Sequence, residues 1–377
     1  MKHYLAAVLT ACLLITPALA VTGSPEVSAP SAILMEKSTG TVLYELDSHT
    51  QYEPASVTKV MTLLLTFEAL DAGAITLDQI VTISAQAVSM GGSQIWLKEN
   101  EQMSVQDLLK AVTVVSANDG AVALAELIAG SESAFVERMN QRAQELGMTD
   151  THFVNCTGLP AEGHVTTAYD IALMSRELVL NHPDIRDYST IWMDTLRDGA
   201  FQLSNTNKLI RFYDGATGLK TGSTDSALYC LSATAERDGM ELIAVVMHAP
   251  TSDDRFESAK ALLNFGFANY TLLTVYPDQA LPPVEVLLGE SGTVQPVLAQ
   301  TPTVLLEKTQ AANVTQSISL CESVEAPVEK GQTLGTMTVT ADGEVVATIP
   351  IVAAQAVERL SVGGIFQRML RSLFLAA

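Results

Sequence analysis

Residues 56–70 spell a helix with almost no polar side. Val57, Val60, Met61, Leu63, Leu64, Leu65 and Phe67 point in nearly every direction around a 3.6-residue period, and Gly73 stands beyond the end. A helix apolar all round has to be enclosed by other elements, so the chain must fold around this one. Ser56 and Lys59 sit at its start, three residues apart and on one face. Pro54-Ala55 precede them, and proline disfavours helix upstream. Ser56 then falls at the helix N-terminus, where free N–H groups can stabilise an oxyanion. A serine hydroxyl is a poor nucleophile without a base. An ordinary lysine, with a pKa of about 10.4, is protonated and no base at all. Burial and a second cation lower that value.

A Ser-x-x-Lys spacing alone arises by accident roughly once in a chain of this size, so it needs company. Ser116-Ala117-Asn118 lies where one apolar helix ends and another begins. Alone it reads as a helix cap. Beside Ser56 it reads as a hydroxyl that relays a proton and an amide that holds a substrate backbone. Lys220-Thr221-Gly222 follows Asp214-Gly215-Ala216-Thr217-Gly218-Leu219. Alone it reads as an exposed strand end. Thr221 suits a strand edge, Gly222 lets a ligand approach the backbone closely, and the Ser223 N–H is a second oxyanion donor. Lys220 is the natural second cation and a partner for a substrate carboxylate. Together these segments hold the parts for serine acyl transfer without histidine.

The remaining pattern predicts strands at Ala32–Glu36 and Thr41–Glu45, and helices near Val105–Val115, Asp119–Ile128, Ala134–Leu146 and Thr167–Val179. Strands follow at Leu228–Thr234 and Leu242–His248 around Arg237-Asp238-Gly239, then a helix at Asp254–Tyr270. Strands in front, helices in the middle and strands behind imply an antiparallel sheet flanked by helices, an α+β fold. The composition shifts near Tyr276-Pro277. Residues 284–353 are rich in Val, Thr, Gly and Pro, with Asp342-Gly343 as a hairpin turn, and predict a small all-β domain. From Ser361 to Leu375 the apolar Val362, Ile365, Phe366, Met369, Leu370 and Leu373 share one helical face opposite Arg368 and Arg371. That pattern suits a membrane interface; a helix docked on its own domain is the alternative.

The first twenty residues read as a signal peptide. Met1-Lys2-His3 is followed by an apolar run from Leu5 to Ile15, and Ala18-Leu19-Ala20 suits cleavage after Ala20. The run is short for a membrane span. A lipoprotein box at Leu9-Thr10-Ala11-Cys12 is disfavoured, because it would cut the apolar core in half. The chain of 377 residues has a formal charge of −21, which argues against nucleic acid as a partner. Beyond the signal, Cys156, Cys230 and Cys321 make no disulfide framework; the sequence leaves room for one bridge without assigning it, and buried free thiols are the preferred reading. His3, His49, His152, His164, His182 and His248 form no HExxH or other metal-ligand spacing, so a zinc peptidase is disfavoured and no metal is expected.

With these residues in hand, the chain resembles the low-molecular-mass penicillin-binding proteins that act as serine-type D-alanyl-D-alanine carboxypeptidases. The resemblance spans residues 28–275 and rests on Pro54-Ala55-Ser56-Val57-Thr58-Lys59, Ser116-Ala117-Asn118-Asp119 and Gly218-Leu219-Lys220-Thr221-Gly222-Ser223. Phe153-Val154-Asn155 leading to Gly158-Leu159, and Thr167–Met174, belong to it as well. It implies a serine β-lactamase/D,D-peptidase-like catalytic domain over 28–275, an all-β domain over 276–356 and an amphipathic membrane-associating helix over 357–377. It implies that Ser56 is acylated by the D-Ala-D-Ala carbonyl of peptidoglycan stem peptides, with Lys59 as base and Ser116 in the proton relay. Asn118 would bind the substrate peptide group, Lys220 and Thr221 its terminal carboxylate, and Arg255 would assist there. Relatives carry His where Ser223 stands, and only the backbone donor need be kept. No cofactor is implied. β-Lactams would be covalent inhibitors, and the protein would be exported to the outer face of the cytoplasmic membrane and cell wall. A serine β-lactamase and a non-catalytic cell-wall binding or sensing module are the rival readings.

Overall fold

The computed structural model describes residues 23–300 and 302–366. The signal segment, residue 301 and residues 367–377 of the tail lie outside the described residues.

Two strands open the fold, β1 (Ser31–Glu36) and β2 (Val42–Leu46), followed by the central helix α1 (Lys59–Asp71). The longer helices that follow are α2 (Val105–Val114), α3 (Asn118–Ala129), α4 (Glu132–Glu145) and α5 (Ala168–Asn181). The chain then returns as β3 (Ala216–Thr224), β4 (Leu228–Arg237) and β5 (Met240–Ala249), and ends this unit with α6 (Ser252–Asn269). The strands form one antiparallel sheet in the order β2-β1-β5-β4-β3. β1 and β5 are buried on both faces, and the period-two alternation divides their side chains. Ile33, Met35, Ile243, Val245 and Met247 join the core around α1, whereas Ala32, Leu34, Leu242, Ala244 and Val246 pack with Phe256, Ala259, Leu262 and Leu263 of α6.

α1 is enclosed as its apolar girth requires. Val60, Met61, Leu63 and Leu64 are 0 % exposed, and the helix packs against α5, α3, α2 and α4. Its first turn differs from the expected continuous helix. Ala55–Thr58 is a 3₁₀ turn, and α-helix begins only at Lys59. Ala55, at φ +47°, has left-handed backbone, and this kink lifts Ser56 out of the run of buried residues around it.

The second part of the chain is all β. Tyr270–Thr274 pairs with Thr303–Glu307, so the all-β part begins at Tyr270 rather than at 276. The reason is a pairing between segments distant in sequence, which composition does not register. A four-stranded sheet joins Pro296–Leu298, Glu344–Ala353, Thr333–Ala341 and Val314–Leu320 in that order. Asp342 (φ +50°) and Gly343 (φ +86°) make its tight hairpin turn. A smaller three-stranded sheet contains a parallel pair, Val284–Leu287 with Ser323–Glu325. Val357 and Arg359 still bridge to Val328 and Gly289. Residues 362–366 are helical with Val362 and Phe366 exposed. Among the described residues no helix is long and apolar enough to cross a membrane.

Candidate active site

The three expected segments are linked: Gly222 abuts the Ser56 turn, and Thr206 ties the Thr221 hydroxyl to the Val114 carbonyl two residues before Ser116. The 3₁₀ turn sets Ser56 half-buried at the head of α1, and Lys59 lies fully buried one turn on. Lys59 Nζ is 3.0 Å from Ser56 Oγ and 2.6 Å from the carbonyl oxygen of Thr157. Burial lowers the Lys59 pKa from 10.5 to about 7, although the negative charge of Asp119 works against the shift. An amine with that value is free base in half of the molecules near neutral pH, which fits it to take the Ser56 proton.

β3 brings the second lysine. Lys220 is fully buried, donates to the Thr221 carbonyl at 3.0 Å, and has its pKa driven well down by burial and then by the charges of Lys59 and Arg255. The strand edge abuts the nucleophile turn: a Cβ on Gly222 would stand 3.0 Å from the Ser56 nitrogen, 2.9 Å from that of Val57 and 2.8 Å from the Pro54 oxygen. Gly222 therefore first admits the Ser56 backbone, which is the closer reason for its lack of a side chain. Arg255, from α6, donates to the Gly222 carbonyl at 3.0 Å and to that of Cys230 at 3.4 Å. It thus holds the strand edge from behind. Ser223 follows at the exposed end of β3. The Thr221 hydroxyl donates to Thr206 Oγ1 at 2.7 Å.

The third wall is the junction of α2 and α3. Ser116 has left-handed backbone at φ +64°, and its buried hydroxyl has no hydrogen-bond partner. Asn118 donates through Nδ2 to the Gly91 carbonyl at 2.6 Å, while its buried Oδ1 has none. Buried polar atoms left unpaired are uncommon, and here an acceptor and a hydroxyl stand on the same short segment. A peptide N–H and a leaving nitrogen would satisfy them.

Four residues important to this geometry carried no expected role. Gly158 (φ +82°) lies so close to the nucleophile turn that a Cβ would fall 1.8 Å from the Ala55 oxygen. Asn155 Oδ1 accepts from the backbone nitrogens of Thr157 and Gly158, shaping the loop that offers the Thr157 carbonyl to Lys59. The signal was present as Asn155 three residues before a glycine. Asp119, 0 % exposed, accepts from the Ile95, Leu97 and Gly120 nitrogens and fixes the 91–97 loop beside Asn118. His164 is structural. Its Nδ1 accepts from the Val154 nitrogen, so Nε2 carries the proton donated to Thr58 Oγ1 at 2.8 Å. Burial, then His152, holds it at a pKa of about 4, so it stays neutral. Cys156 and Cys230 are buried free thiols, and Cys321 is an exposed one.

Comparison with known proteins agrees with this geometry. A family model described as D-alanyl-D-alanine carboxypeptidase matches residues 19–251, and one described as the C-terminal domain of penicillin-binding protein 5 matches residues 270–359. The D-alanyl-D-alanine carboxypeptidase DacF of Bacillus subtilis is 42% identical over 336 residues, 88% of this chain and 86% of that protein. The crystal structure of penicillin-binding protein 5 from Haemophilus influenzae is similar with a TM-score of 0.78 at 30% identity, over 89% of this chain and 99% of that one. Penicillin-binding protein D2 of Listeria monocytogenes, solved in its ampicillin-bound form, is 33% identical with a TM-score of 0.59, over 64% of this chain and 98% of its own. The chain belongs to the D-alanyl-D-alanine carboxypeptidase family, the low-molecular-mass penicillin-binding proteins that work as serine enzymes.

Proposed function

We propose that this protein removes the terminal D-alanine from peptidoglycan stem pentapeptides through an ester on Ser56. The observation that carries the assignment of roles is the 3.0 Å approach of a fully buried amine, Lys59 Nζ, to Ser56 Oγ. The neutral amine takes the hydroxyl proton as Oγ attacks the penultimate D-alanine carbonyl. Backbone N–H groups of Ser56 and Ser223 receive the oxyanion. Ser116 delivers a proton to the departing D-alanine nitrogen, Asn118 holds the substrate peptide group, and the Lys220-Thr221 edge receives the terminal carboxylate. Water then cleaves the ester, giving the shortened peptide and restoring the Ser56 hydroxyl. Arg255 supports the carboxylate end through the Gly222 carbonyl.

A β-lactam meets the same nucleophile as a cyclic amide. Opening the ring leaves the departing nitrogen tethered, where it obstructs water. The ampicillin-bound Listeria relative supports this reading for the chain. The test of the whole reading is D-alanine release from a pentapeptide. Wild type should release it and Ser56→Ala should not; equal release by both would end the assignment.

The catalytic part works outside the cytoplasm in this reading. The amino-terminal segment directs export with cleavage after Ala20, and the amphipathic tail rests on the membrane surface. Exposed Val362 and Phe366 at the start of that tail favour it. Deletion of residues 361–377 should move the protein from the membrane fraction to the soluble one with its peptidase activity retained. Continued membrane association of the deleted protein would contradict the tail's role.

A further inference from the structure

The carboxylate end of the cleft contains a hydroxyl that the reading above does not use. Thr206 Oγ1 accepts the hydrogen of the Thr221 hydroxyl at 2.7 Å. Among the described residues no acceptor is seen for the hydrogen of Thr206 itself. Thr221 is 5 % exposed, whereas Thr206 is only half-buried.

The surroundings of Thr206 are unusually rigid for a segment between elements. Its backbone nitrogen donates to the Val114 carbonyl at the end of α2, two residues before Ser116. Buried asparagines flank it on both sides. Asn205 donates through Nδ2 to the Ile191 and Ser189 carbonyls, and its Oδ1 accepts from the Asn207 nitrogen. Asn207 donates to the Gly218 carbonyl of β3 at 2.8 Å and accepts from the Leu209 nitrogen. One threonine is thus pinned between the Ser116 wall and the Lys220-Thr221 strand, with its oxygen on the Thr221 hydroxyl. A hydroxyl that accepts one hydrogen bond becomes a stronger donor in the next.

We propose that Thr206 is a specificity-determining residue: with Thr221 it forms a polarised pair of hydroxyls, and Thr206 directs its own hydrogen to the terminal carboxylate of the substrate. The proposal rests on the assignment of the carboxylate to Lys220 and Thr221. The pair adds a donor without adding charge. It does so beside a lysine whose own charge is weakened by burial and by Lys59. The preference for a free carboxylate over a neutral chain end is therefore set partly by Thr206.

The experiment compares kcat/KM on a peptide ending in D-Ala-D-Ala with that on the same peptide ending in D-Ala-D-alaninamide. Wild type, Thr206→Val, Thr206→Ser and Thr221→Val are measured on both. Thr206→Val keeps the shape and removes the hydroxyl. It should lose about tenfold on the free acid, the size of one hydrogen bond to a charged group, mostly through KM, and little on the amide. Thr206→Ser should keep the wild-type ratio. Equal losses on both peptides would mean that Thr206 only supports the fold, and an unchanged ratio would mean that it does not touch the carboxylate. Either overturns the proposal. Thr221→Val separates the levels. If it changes the ratio while Thr206→Val does not, only the role of Thr206 falls. If Thr221→Val leaves the ratio unchanged, the carboxylate assignment falls and this inference with it.

Discussion

Lys59 Nζ reaches Ser56 Oγ at 3.0 Å and the Thr157 carbonyl at 2.6 Å from a position with no solvent exposure. The Ser56 hydroxyl is thereby joined to an amine that the interior keeps partly unprotonated.

The pH dependence follows from that burial. With the Lys59 pKa at about 7, acylation should rise roughly tenfold per pH unit below neutrality and level off above it. Stopped-flow acylation by benzylpenicillin between pH 5 and 9 reads this directly. A rate still climbing tenfold per unit at pH 9 would show an unperturbed lysine.

The same shift has a stability consequence. The folded pKa lies below the unfolded value of 10.5, so the unfolded chain binds more protons between about pH 7 and 10.5, and Lys59 makes folding more favourable as pH rises there. Lys59→Met, which leaves no buried amine, should be inactive yet melt at a higher temperature than wild type at pH 7. The gap should narrow as pH rises toward 9 in thermal denaturation.

Gly158 and Gly222 act through the space they leave. Gly158→Ala would put a Cβ 1.8 Å from the Ala55 oxygen in a left-handed conformation. A loss of about 2–4 kcal/mol in denaturant unfolding is expected, together with loss of acylation. Gly222→Ala meets three atoms of the nucleophile turn at 2.8–3.0 Å and should slow acylation at least tenfold while the protein still folds.

Asp119 governs Asn118 from behind. Asp119→Ala would leave the Ile95, Leu97 and Gly120 nitrogens without their acceptor. Destabilisation of about 2–4 kcal/mol is expected in chemical denaturation, with faster amide exchange centred on residues 91–97 and Gly120.

Arg255 serves the strand edge. Arg255→Gln removes the charge behind the Gly222 and Cys230 carbonyls. Acylation by carboxylate-bearing peptides should fall about tenfold, seen in kcat/KM, and labelling by benzylpenicillin, which also carries a carboxylate, should slow with it.

The parts of the site that were legible in the sequence are those whose residue type names their chemistry. Ser56, Lys59, Ser116, Asn118 and Lys220 stand out in the sequence because hydroxyl, amine and amide are scarce in apolar helix and strand. The enclosure of α1 was legible from its lack of a polar face. Gly158 and Asp119 were not, because their roles are spatial: one leaves room for Ala55, the other collects amides from a loop more than twenty residues earlier. The hairpin Met193–Leu196 with Phe201–Ser204 was missed although Arg197-Asp198-Gly199 repeats the turn signal that located β4 and β5. Its strands are four residues each, too short for alternation to show. Ile80–Thr82 with Gln102–Ser104 escaped for the same reason.

The central claim is that Ser56 is acylated because Lys59 and Lys220 share its cleft. Intact-protein mass spectrometry after benzylpenicillin tests it most directly, on wild type and Ser56→Ala side by side. Wild type should gain the mass of one opened penicillin and hold it for minutes, with the adduct on the peptide containing Ser56, and Ser56→Ala should gain nothing. An adduct of equal yield on Ser56→Ala, or none on wild type, would contradict the account.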